Sequence, residues 1–135
     1  MFPPPRPWTP CAKIDPQREY LAFTSCFFLK SPLRAPAFLA SANRIMKLAN
    51  AAPGIIGWSL GVNILKLEFF TLSAWEDAES LHRFTRDEGH KSALQEFRHD
   101  LRRKSVLVYY KVWGRDLPLT WKDAIERQRQ SAAAP

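Results

Sequence analysis

Apolar positions along this chain follow two different periods. From Tyr20 to Lys30 the run YLAFTSCFFLK is rich in aromatic and β-favouring residues. Both of its alternating sets, Leu21/Phe23/Ser25/Phe27/Leu29 and Ala22/Thr24/Cys26/Phe28, are apolar or small, which predicts a strand covered on both faces. Ser31-Pro32 breaks that strand. From Ala35 to Ala51 the period lengthens: Phe38, Leu39, Ala42, Ile45, Met46 and Ala49 form one stripe, the pattern of an amphipathic helix, and Pro53-Gly54 stops it. Ile55 to Leu65 predicts a second strand. Gly57 and Gly61 weaken it and suggest a bulge or the close approach of another group to the backbone. Lys66 to Trp75 predicts a third.

The chain then breaks from strand into helix within a few residues. Ser73 with Glu76 fits a capping box, and Glu76, Asp77 and Glu79 suit the positive end of a helix dipole. Ala78, Leu81 and Phe84 give the buried side of that helix. Gly89 reads as an interruption, after which His90, Leu94, Phe97 and Leu101 share the face of a further helix. Lys104 to Gly114 (KSVLVYYKVWG) predicts a fourth strand, again apolar on both alternations. Thr120 is a good N-cap for a short helix from Trp121 to about Gln130, and the closing SAAAP reads as disordered.

Residues 1–19 stand apart. Pro3, Pro4, Pro5, Pro7, Pro10 and Pro16 fix φ and remove donors, so neither a helix nor a central strand is available there. The expectation is an extended arm, with Phe2 and Trp8 as the side chains able to dock on the body. Residues 20–114 then form the domain, and 115–135 a C-terminal extension with a short helix.

The order strand, helix, strand, strand, helix pair, strand is the βαββαβ arrangement of a ferredoxin-like α+β domain: an antiparallel sheet with helices on one face. Because its strands are apolar on both faces, the second face needs a cover. A second copy of the chain, sheet against sheet in a two-fold dimer, is the economical one.

Composition adjusts this reading only slightly. At 135 residues there is one domain, large enough for a core without staples. The net charge of +7 admits nucleic acid or an anionic surface as partner, but the basic runs Arg102-Arg103-Lys104 and Arg127-Gln128-Arg129 read as solvated helix ends. An RNA-recognition domain shares the topology, yet needs a Lys/Arg-Gly-aromatic context on its third strand, and KLEFFTLS has no such Gly and carries Glu68 at its centre. Cys11 and Cys26 have no ligand spacing, which points to a reduced, cytoplasmic protein without metal or cofactor, and no apolar run approaches a membrane span.

The segments PGIIGWSL, FFTLSAWEDAESLHRFTRDEGHKSALQEF and VLVYYKVW resemble the antibiotic-biosynthesis monooxygenase-like proteins of the dimeric α+β barrel superfamily, over roughly residues 20–114. The sharpest part is a strand ending in Ser-x-Trp-Glu, followed by a helix, a charged step and a His opening the next helix. The resemblance implies a homodimer and a cavity between sheet and helices for a small aromatic or polyketide-like molecule. The superfamily's haem-degrading branch places a Trp inside the helix and an iron-ligating His beyond the position of His90. Here Phe84 and Leu94 stand near those places, and neither ligates iron. The branch that oxygenates phenols without metal or flavin asks only for a dry pocket, a proton acceptor and hydrogen bonds to the phenolate.

The candidate catalytic residues are His90 as base or donor, Trp75 as an indole face with one N–H at the cavity mouth, and Asn63 as a neutral amide for a substrate oxygen. Each has a plain structural alternative: a His satisfying a backbone carbonyl, a Trp plugging the sheet edge, an Asn in a turn. Trp58, Phe23, Phe69, Tyr109 and Tyr110 are expected around the ligand, although Tyr109 and Tyr110 must point to opposite faces. His82 and His99 fall on polar positions. No nucleophilic triad or phosphate loop is visible, so a non-catalytic binding or structural module on the same fold is the alternative function.

Overall fold

The computed structural model describes residues 6–133, with five strands and four α-helices. The strands are β1 (Arg6–Pro10), β2 (Glu19–Phe28), β3 (Ile55–Asn63), β4 (Glu68–Trp75) and β5 (Val106–Trp113). The helices are α1 (Ala35–Ala49), α2 (Ala78–Thr85), α3 (Glu88–Phe97) and α4 (Trp121–Ala133). All strand pairs are antiparallel, in the order β1-β3-β4-β2-β5. Without β1 the order is that of a ferredoxin-like βαββαβ sheet, which is the fold expected from the periodicities.

The helix boundaries follow from local chemistry. α1 opens with Pro36 in its first turn, where a missing N–H costs nothing, after a short 3₁₀ turn capped by Ser31. Its stripe buries Phe38, Ile45, Met46 and Ala49. The cap of α2 differs from the expected box: Asp77, in extended conformation, accepts from the Ser80 N–H. Ser73 is still within β4, where the strand runs unbroken to Trp75, so its hydroxyl is not near the helix start. The break between α2 and α3 lies at Arg86 and Asp87 rather than at Gly89. Asp87 turns extended and accepts from the Gly89 N–H, which makes Gly89 part of the first turn of α3.

α1, α2 and α3 lie on one face of the sheet. At one end of that layer Phe38 is ringed by Phe27, Phe69 and Phe97, with centroids 5.0 to 5.6 Å apart. At the other end Trp75, Leu81, Ile55 and Ala49 form a second packed cluster.

The opposite face is covered from within the chain. Leu119 and Ala124 of the C-terminal segment pack on Tyr20, Ala22, Ile56, Leu72, Ala74 and Tyr110, and Trp121 and Ile125 pack on Cys26, Phe28 and Phe70. The Gln128 amide, itself buried, donates to Thr24 Oγ1 at 2.6 Å. The premise that this face needs a second copy as cover therefore falls: α4 does that work, as an addition to the ferredoxin-like core. The helix also continues through Ser131 and Ala133, where disorder was expected.

The proline-rich arm docks as well. β1 pairs with β3 at the sheet edge, where proline is tolerated because the outward N–H groups have no partner to lose. Trp8 lies over Gly57 so closely that a Cβ there would come within 2.3 Å of its ring, and the β3–β4 register shifts between Ile55 and Gly57. Gly57 thus serves both the bulge and the close approach. Phe2, Ala134 and Pro135 lie outside the described residues.

Candidate functional site

The helix layer does not fill the whole of its sheet face. Between the two packed ends is a cavity of about 350 Å³. Its floor is set by the register of three strands. Ser25 lies opposite Thr71, and Phe23 lies between Ser73 on β4 and Tyr109 on β5. The alternation that puts Phe23 on this face carries Ser25 and Phe27 with it. Its roof is the inner side of the helices: Ile45 and Met46 from α1, Phe84 from α2, His90, Ala93 and Leu94 from α3.

The lining is mainly apolar, with a few polar groups. Ser25 and Thr71 share a short hydrogen bond across β2 and β4. The Trp75 indole N–H donates to Ser73 Oγ at 2.9 Å, which removes it as a donor to a ligand but leaves the Ser73 proton free to turn inward. Trp75 itself is 1% exposed and forms the inner wall rather than the mouth. A chain of ring contacts runs from it to the roof: Trp75 to Phe84 at 5.3 Å, then Phe84 edge-on to His90 at 5.6 Å.

His90 is the one imidazole on this wall. Its Nδ1 is buried and has no hydrogen-bond partner among the described residues. Burial lowers its pKa below the ordinary 6.5, against a smaller upward pull from the Asp87 carboxylate, so the ring is neutral at neutral pH. A neutral imidazole with an unpaired nitrogen can accept or donate a proton there. The mouth is marked by Leu94, Leu107 and Tyr109, all about half exposed, with the Tyr109 ring stacked on Phe23 at 4.8 Å.

Four of the residues singled out from sequence therefore meet at this cavity: His90, Trp75, Phe23 and Tyr109. Four do not. Asn63 ends β3, and its Oδ1 accepts from the Lys66 N–H, the plain turn role. Trp58 is buried beside Met46 and Leu60, its N–H given to Asn50 Oδ1 at 2.7 Å. Phe69 is sealed in the ring cluster around Phe38. Tyr110 points through the sheet to α4, where the Arg127 guanidinium sits 4.0 Å over its ring. Burial there pushes its phenol up to about 12. His82 and His99 are exposed. The hydroxyl row was not singled out from sequence, although the alternation through Phe23 already placed Ser25 with it, and Phe84 was read as helix packing rather than as a wall of the site.

Among the described residues no group of three or more His, Cys, Asp or Glu is placed to hold a metal, and no helix is long and apolar enough to cross a membrane. No family model matches the sequence, and no curated protein matches it. Solved structures do resemble the fold. One is an antibiotic biosynthesis monooxygenase, with TM-score 0.61 and 15% identity over 67% of this chain and 95% of that one. Another, a candidate antibiotic biosynthesis monooxygenase from Caulobacter crescentus CB15, gives 0.61 and 14% over 69% and 89%. A protein from Methanosarcina mazei Go1 gives 0.61 and 14% over 67% and 90%. The chain thus has the α+β ferredoxin-like fold of structures named antibiotic biosynthesis monooxygenases, with 67% of its length inside the first of these matches.

Proposed function

We propose that the cavity binds a small, flat aromatic or polyketide-like phenol and that the chain oxygenates it without a cofactor. The observation that carries this reading is the unpaired, buried Nδ1 of His90 on the wall of an otherwise apolar cavity. A volume of about 350 Å³ lies at the small end of ligand pockets and suits a few fused rings. The rings would lie between Phe23 and Tyr109 on one side and Phe84 on the other, with a phenolic oxygen within reach of His90 or Ser73. The names carried by the similar structures support the same class of chemistry.

In this reading neutral His90 takes the phenolic proton. The resulting electron-rich phenolate passes an electron to O2, and recombination forms a C–O bond at the activated ring carbon. The O–O bond then breaks. One oxygen atom stays on the carbon as a carbonyl, and the other leaves as water, with the one hydrogen that the carbon has lost and the phenolic proton returned by His90. The apolar wall keeps bulk water from the intermediate. Both cysteines are free, as a reducing cytoplasmic location would keep them.

Aerobic incubation with anthrone-type phenols tests the proposal. Quinone formation is expected, with His90→Ala slowed on the order of 10²-fold or more. Turnover that His90→Ala leaves unchanged would remove His90 from the chemistry, and binding without turnover would favour the module reading. One observation favours that second reading: Ser25 pairs with Thr71 and Trp75 with Ser73, so part of the polar lining is already satisfied internally.

The proposed macromolecular partner is a second copy of the chain. Its surface is edge strand β5, where Leu107 and Tyr109 at the cavity mouth are 49% and 51% exposed and Trp113, at the far end of the strand, is 43% exposed. Sedimentation is expected to give a dimer that Leu107→Lys with Trp113→Glu dissociates; a monomer at all micromolar concentrations would remove this partner.

A further inference from the structure

The face under α4 has an opening of its own, separate from the cavity around His90. At the end of the sheet where β2 finishes and β4 starts, an open groove of about 970 Å³ runs between the strands and α4. Its floor is Cys26, Phe28 and Phe70, backed by Val106 and Ile125. Burial, helped by the Glu68 carboxylate, pushes the Cys26 thiol up to about 12, so this floor is apolar and unreactive.

The rim has the opposite character. Lys66, Arg103, Lys122 and Arg129 all line the groove, and none is ion-paired among the described residues. Arg103 is held over the floor, its guanidinium 4.5 Å above the Phe28 ring. The carboxylates at the rim are Glu68 and Glu126, also without an ion pair, and Asp123, which is taken up by Arg127 at 3.1 Å. Four cations against two uncommitted carboxylates leave an excess positive charge directly above apolar surface.

We propose that this groove binds a free alkyl carboxylate, with the chain on Phe28, Phe70 and Ile125 and the head group at Arg103 and Lys66. A small hydrophilic anion would gain nothing from the floor, and a neutral hydrocarbon nothing from the rim. Only a molecule with both parts uses both, and each methylene buried on the floor adds to its affinity. The volume exceeds what a compact ring system needs and accommodates a chain of fatty-acid length.

The test is an amide-resolved NMR titration of the full chain with dodecanoate below its micellar concentration, with dodecanol as the uncharged control. Saturable shifts at Phe28, Phe70, Val106 and Ile125 are expected. Lys66→Glu with Arg103→Glu should weaken dodecanoate binding at least about tenfold. Lys66→Glu with Lys122→Glu, which spares the Arg103–Phe28 stack, should do the same if the first pair perturbs folding. No saturable shift overturns the proposal. So do shifts confined to His90, Ala93 and Phe97, which would assign the chain to the other cavity. Equal affinity for dodecanol, with both charge-reversed variants unchanged, overturns the role of the rim.

Discussion

The two faces of this sheet are built from similarly apolar strand positions and end up very different. Under α4 the middle of the sheet is closed: Ala22, Leu72, Ala74 and Ala124 are almost wholly inaccessible, and small residues let the helix approach. Under α1, α2 and α3 the side chains are larger, yet a cavity remains between the Phe38 ring cluster and the Trp75 cluster. Bulk at the two ends props the helices away from the strands, and the serines and threonine between them are too short to fill the gap. A packed face and a hollow one thus differ in where side-chain volume is placed, more than in how much of it is apolar.

That contrast can be broken by experiment. The largest effect is expected from a charge on each side. Ala124→Asp buries a carboxylate with no partner under α4 and should cost more than about 3 kcal/mol in chemical denaturation. Ala93→Asp, on the cavity wall, should cost about half that or less, because the carboxylate can reach the open space. Equal costs would mean that the second face is as tightly filled as the first.

Next is Phe38→Ala, which removes the hub of the ring cluster and should cost about 3–5 kcal/mol. If the cluster props the roof open, the cavity should also shrink, read as weaker binding of an aromatic probe.

A smaller effect is expected from His90. Its folded pKa lies below 6.5, so the unfolded chain takes up the proton first as pH falls. The wild type should lose stability relative to His90→Phe from about pH 6.5 downward, level off below the folded pKa, and show no pH-dependent difference above pH 6.5. A flat difference across this range would mean that the imidazole is solvated. A smaller effect still belongs to Gln128→Ala, about 1 kcal/mol for the hydrogen bond to Thr24. Ser25→Ala in the cavity floor should fall below that, since Thr71 can turn to the open space.

Most of the frame was legible in the sequence because it rests on local periodicity. The α1 stripe, the alternation in β2 and the Pro-Gly stop are readable one segment at a time. Gly57 was readable as a crowded backbone position, though not that Trp8 would crowd it, since that contact spans the chain. The apolar second alternation of β2 and β5 said that a cover was needed and could not say which; thirteen residues of α4 supply it. The site was half legible for the same reason. Period two says that only one of Tyr109 and Tyr110 can share a face with Phe23, and the β2–β5 register selects Tyr109; Trp58 and Phe69, on the same face, were claimed by neighbours from α1 that no strand pattern reveals. Asn63 was taken by its own turn.

The docked arm has a consequence for growth of the sheet. An antiparallel sheet can polymerise through any free edge, and two free edges permit an endless ribbon. Here one margin is β1, and Pro7 and Pro10 deny it the N–H groups that another strand would bind. The other margin, β5, is open. A molecule with a single adhesive edge can pair with its own copy about a two-fold axis and is then exhausted, so strand-to-strand association through β5 would end at two subunits rather than lead to a fibre.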